Sequence, residues 1–102
     1  MKECCAKYLA EQFGGDDDLA NEIYGEYVKS LGEKVAEAAA AFEARDWQTL
    51  DRAAHTVKGN ALSVGDASTA DSAIRLRQAA KLEDADAAAP LVAALREALG
   101  TL

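Results

Sequence analysis

Trp47, Leu50, Ala54, Val57, Ala61 and Val64 stand alternately three and four residues apart, the spacing that keeps one face of an α-helix turned toward a partner helix. This periodicity constrains the fold more than any other feature, because it recurs along most of the chain and no period-two alternation competes with it. Residues 2–13 place Cys5, Leu9 and Phe13 on one stripe of a short helix closed by Gly14 and Gly15. Asp16, Asp17 and Asp18 then offer an N-cap and favourable charge for a helix carrying Leu19, Ile23, Tyr27, Leu31, Val35, Ala39 and Phe42 on one side. Gly32 predicts a kink there, dividing this stretch into 17–31 and 32–44. Asp46 can cap the helix that begins at Trp47, and Gly65 offers its C-cap. A further helix over 68–82 turns Ala73, Leu76 and Ala80 inward. The last one, after "EDAD", buries Leu91, Leu95, Ala98 and Leu99, with Pro90 expected in its first turn, where it costs little.

Turns this short return successive helices antiparallel. The expected class is therefore all-α: an up-down four-helix bundle with a short extra N-terminal helix, in one domain over residues 1–102. Half of the residues are hydrophobic, many of them alanine, and there is a single proline; both favour helix. The formal net charge of -7 argues against nucleic-acid binding, which needs cations to displace counterions from phosphates. No apolar run approaches the roughly 20 residues needed to cross a bilayer, and "MKECCAKYLAEQF" lacks the features of a signal peptide. No membrane association is expected. Cys4 and Cys5 are adjacent and cannot easily bridge one another, which suggests reduced thiols and a cytoplasmic location.

The one histidine, His55, projects about 120° away from the stripe that begins at Trp47, given 100° per residue. It is expected to face water. Gly59 lies one turn further on the same face, in mid-helix, where glycine costs roughly 1 kcal/mol against alanine; the benefit would be close approach to the imidazole. Lys58 can swing an ammonium toward whatever the ring nitrogen carries. Leu62 adds an apolar side chain beside the ring, as a docking surface would. Alone, each of these residues reads as an ordinary helix-surface position; together they frame the imidazole.

"AHTVKG" resembles the H-x-x-K-G signature of histidine phosphotransfer (HPt) domains, commonly seen as A-H-T-L-K-G, which are helical bundles that relay phosphoryl groups in bacterial two-component signalling. The likeness extends over nearly the whole chain: "FGGDDDLANEIYGEYV" is similar to the family's entry into its second helix, and "ARDWQTLDRAAHTVKG" to its turn and phosphoacceptor helix. The resemblance implies His55 as phosphoacceptor, Lys58 as the positive charge near the phosphoryl group and Gly59 as the opening beside the ring. It also implies a response-regulator receiver domain or a hybrid sensor histidine kinase as partner, with Mg2+ supplied by the receiver and no cofactor held by this chain. A monomer is expected. Two positions depart from the family pattern. Asn60 stands where a small residue is usual, and its amide can hydrogen-bond or face solvent. Arg77 stands where several members have a glutamine that helps hold the phosphoryl oxygens, with Gln78 next to it.

Phosphoryl transfer depends chiefly on positioning and charge. Between Arg52 and Lys81, the five cations Arg52, Lys58, Arg75, Arg77 and Lys81 oppose Asp66 and Asp71, a local balance of +3 in an acidic chain. Arg52, Arg75 and Arg77 are thus expected to attract an acidic receiver pocket; with Leu62, from the apolar surface beside the ring, and Gln78, which the resemblance places next to the family's glutamine position, they are the expected partner-binding residues. No G-x-x-x-x-G-K-[ST] or G-x-G-x-x-G loop is present, so no autonomous kinase activity is expected. An alternative is a bundle that binds a receiver or kinase without being phosphorylated. A metal or haem bundle is disfavoured by the lone histidine.

Overall fold

Four times in this chain an aspartate follows directly on a residue with positive φ, and each pair ends one helix and starts the next. The pairs are Gly15 and Asp16, Arg45 and Asp46, Gly65 and Asp66, and Glu83 and Asp84. In the last three, the aspartate N–H reaches back to the carbonyl five residues earlier, from Asp46 to Ala41, Asp66 to Ala61 and Asp84 to Ala79. That left-handed step satisfies carbonyls the ending helix leaves free. Each aspartate carboxylate then accepts the N–H three residues on, from Leu19, Thr49, Thr69 and Ala87, capping the new helix. The Thr49 hydroxyl and N–H hold the exposed Asp46 carboxyl below the usual carboxylate range.

The computed structural model describes all 102 residues and contains five helices: α1 (Glu3–Phe13), α2 (Asp17–Glu43), α3 (Trp47–Ser63), α4 (Ala67–Lys81) and α5 (Ala85–Gly100). Helices α2 to α5 pack in cyclic order, α2 on α3, α3 on α4, α4 on α5 and α5 back on α2, while α1 lies against α2. No strand is present. This is the all-helical bundle with an additional N-terminal helix that the periodicity implies. Each helix contributes one fully buried leucine: Leu9, Leu31, Leu50, Leu76 and Leu95. Alanines such as Ala38, Ala54, Ala61, Ala73 and Ala88 fill most of the remaining core, and such small side chains let helix axes approach closely.

Four expectations are corrected. Helix α2 runs unbroken through Gly32, because Leu31, Val35, Ala38 and Ala39 anchor it to the core on both sides; packing outweighs the propensity deficit of one glycine. Pro90 sits in the second turn of α5, since that helix starts at Ala85. Its missing N–H leaves the Asp86 carbonyl without a helical partner, on a side of α5 where both residues are exposed to water. The inward line of α5 is Ala88, Val92 and Leu95, with Leu91, Ala98 and Leu99 only half-buried, because the helix is seated between α2 and α4. Phe13, at the end of the α1 stripe, and Leu19, at the start of the α2 stripe, are each 38 % exposed, because both sit at helix ends beyond the core.

A buried polar cluster fastens α1 to the bundle. Asp66 has no exposed surface, and its carboxylate accepts hydrogen bonds from Lys2 Nζ, Tyr27 Oη and Thr69 Oγ1, each at 2.8 Å. Nearby, Tyr8 covers Gly65 so closely that a Cβ there would lie 2.5 Å from the tyrosine Cβ. With φ at +74° as well, only glycine fits this turn.

Candidate functional site

The inner face of α3 is fully occupied: Leu50, Ala53, Ala54, Val57 and Ala61 are buried. A helix committed this strongly on one side must turn its other residues outward. Arg52, His55, Gly59 and Leu62 are all exposed, and Lys58 is half-buried at the edge. His55 therefore faces water. Its ring makes no hydrogen bond or ion pair with the protein, so both nitrogens are available to an external group. A Cβ at Gly59 would meet nothing within 4 Å, which means that the fold itself does not require glycine there. Leu62 is 53 % exposed.

Helix α4 supplies the other wall. Lys58, Ile74, Arg77, Gln78 and Lys81 line an open groove of about 270 Å³ between α3 and α4. Of the residues named from the sequence, Lys58, Arg77 and Gln78 are thus brought together, and Lys58 is three residues along α3 from His55. Lys58 and Lys81 form no ion pair. Arg77 does: its Nε donates to Asp51 Oδ1 at 2.9 Å. Arg75 lies off the groove and pairs with Asp71 on its own helix at 3.1 Å, with both side chains well exposed; such a surface pair contributes little. Arg52 donates at 3.4 Å to Thr49 Oγ1.

The +3 balance read along the chain is redistributed in space. Asp66, counted in that stretch, is buried in the α1 cluster and plays no part in the groove. Asp51, one residue outside the stretch, sits at its rim. Asn60 is settled too: its Nδ2 donates to Ser30 Oγ at 2.7 Å, joining α3 to α2. Sequence reasoning missed Asp51, which is four residues before His55 and hence on its face. It also missed Ile74, 40 % exposed in the groove, whose position off the Ala73, Leu76 and Ala80 stripe was the available signal. The described residues hold no group of three or more His, Cys, Asp or Glu able to bind a metal. No helix is long and apolar enough to cross a membrane.

An antiparallel helical bundle with a lone, unpartnered imidazole on its flank and lysine and glycine beside it defines a class of helical bundles that present a single histidine to solvent. The Hpt domain family profile matches residues 22–102, and the chain belongs to the Hpt domain family. Its coarse role is thereby histidine phosphotransfer in phosphorelays, in contact with receiver domains and kinases. Helix α1 and the first turn of α2 lie outside the matched residues. No curated protein and no solved structure matches the chain.

Proposed function

We propose that the chain carries a phosphoryl group on His55, accepting it from the aspartyl phosphate of a receiver domain or from a hybrid sensor histidine kinase and passing it to a response regulator. The observation that carries this reading is the exposed imidazole of α3, free of internal partners, three residues before Lys58, which lines the cationic groove between α3 and α4. A neutral imidazole keeps a lone pair on one nitrogen and a proton on the other. As the lone pair forms the N–P bond, the O–P bond of the acyl phosphate breaks and the aspartate carboxylate leaves; the ring proton stays. The residues of this chain orient the ring and supply positive charge near the phosphoryl oxygens; a Mg2+ ion held by the receiver would supply charge neutralisation from the partner's side. Lys58 is one such charge on α3, three residues from His55. Arg77 and Gln78 approach from α4, and Arg52 and Leu62 extend the surface on which a receiver would rest.

The test is incubation with phosphorylated receiver domains. Acid-labile, alkali-stable phosphate appearing on this chain is expected. A stable complex with a receiver and no transferred phosphate would overturn the carrier reading in favour of a binding module.

Gly59→Ala separates access from fold. Because the position is exposed and a methyl group meets nothing, the variant is expected to gain up to about 1 kcal/mol, raising Tm by roughly 4–8 °C. Transfer from a receiver should slow all the same, whereas phosphorylation by the small reagent phosphoramidate should not. Equal receiver transfer rates in the two proteins would remove the access role from Gly59.

A further inference from the structure

We propose that Asp51 is a positioning residue that keeps the phosphoryl group on His55 easily transferable, by neutralising Arg77 and by opposing the incoming anion; this rests on His55 being the phosphoacceptor. Three observations converge. Asp51 and His55 are four residues apart on α3, so their Cβ atoms lie about 6 Å from one another on one face. Asp51 holds Arg77 through Nε alone, at 2.9 Å, and the two Nη groups of that guanidinium have no protein acceptor, leaving four N–H donors free beside the groove. The pair is sheltered rather than fully solvated, with side chains 25 % and 28 % exposed for Arg77 and Asp51. Around it stand the unpaired Lys58 and Lys81.

Without Asp51, three uncompensated cations would face a phosphoryl group carrying nearly two negative charges, and the group would be held firmly. A carrier works by releasing what it has accepted. The lining of the groove holds no carboxylate of its own; Asp51, bound to Arg77, cancels one of the three cations and repels the phosphoryl oxygens. Taking that Cβ spacing of about 6 Å as the charge separation, a unit charge shifts the balance for a dianion in water-like surroundings roughly tenfold before screening by salt. About fivefold is expected at moderate ionic strength.

The experiment uses the full chain and phosphoramidate. The imidazole lone pair forms the new N–P bond as the P–N bond of the reagent breaks and ammonia leaves. Two quantities are then read: the first-order loss of phosphohistidine, and the equilibrium partition of phosphate between this chain and a receiver domain. Asp51→Asn is expected to retain the phosphoryl group about fivefold longer and to shift the partition toward His55 by a similar factor. Arg77→Gln should shift both the opposite way, the double variant should fall between the singles, and Asp51→Glu should restore native values. Melting temperature and helicity report any structural effect separately. Asp51→Asn retaining phosphate no longer than the native chain would overturn the proposal while leaving the phosphoacceptor intact. Native protein that takes no phosphate on His55 would instead overturn the phosphoacceptor reading, and this inference with it.

Discussion

His55→Gln is expected to fold like the native chain and to accept no phosphoryl group at all. The imidazole is exposed and makes no hydrogen bond or ion pair with the protein, so its removal leaves neither a cavity nor an unpaired buried group. A stability change within about 0.5 kcal/mol follows. Glutamine has helix propensity at least as good as histidine but offers an amide, whose nitrogen has no nucleophilic lone pair. In the proposed role the side chain itself forms the bond to phosphorus, so no neighbouring residue substitutes for it and transfer should fall to background, by more than about 10³-fold. The measurement is acid-labile phosphate on both proteins after incubation with phosphorylated receiver, alongside thermal melts. Phosphate that persists on a folded His55→Gln chain would place the acceptor elsewhere.

Asp66→Ala is expected to have the opposite profile, with a large loss of stability and no direct effect on the exposed face of α3. Removing the carboxylate strands the Lys2 ammonium, the Tyr27 hydroxyl and the Thr69 hydroxyl, and deletes the cap of α4. Breaking a buried, hydrogen-bonded ion pair costs about 3–5 kcal/mol, a large share of the 5–15 kcal/mol typical of a domain. Lys2→Met removes only one donor, from a side chain that is 19 % exposed, and should cost less. The pH dependence follows from the same cluster. Burial pushes the Asp66 carboxyl up, but the hydrogen bonds from Lys2, Tyr27 and Thr69 outweigh it and hold it below its ordinary value of 3.8. A lowered carboxyl contributes stability that is fully present above 3.8 and is lost as pH falls through its folded value. Burial lowers the Lys2 ammonium, yet Asp66 raises it above 10.5 overall; its contribution is present below 10.5 and is lost as pH rises through the folded value. Burial and the adjacent Asp66 charge push the Tyr27 hydroxyl up as well, so it remains a donor throughout. Urea midpoints measured from pH 2 to 7 should show a steeper acid limb for the native chain than for Asp66→Asn, and identical limbs would remove Asp66 from the linkage.

The short turns and the α3 stripe were readable because they rest on local physics. Asp46 caps its own helix three residues away, and the Trp47 to Val64 spacing depends only on 100° per residue. For the same reason His55, Lys58, Gly59 and Leu62 could be placed on one outer face before any packing was known. Gly32 misled because propensity is a weak term against the burial of Leu31 and Val35. The charge balance misled because it was counted along the chain: Asp66 belongs to α1 and Asp51 belongs to Arg77, and both assignments span many residues of sequence.

The amino-acid order alone therefore determined the helical class, the outward face of α3 and the residues that frame the imidazole, since each follows from contacts within about one helical turn. Which cations remain free near His55, which carboxylate restrains Arg77, and how Lys2 reaches a fully buried Asp66 were decided by tertiary structure. These pairings depend on how α1, α3 and α4 pack side by side, and electrostatic attraction is set by distance in space, which sequence separation does not encode.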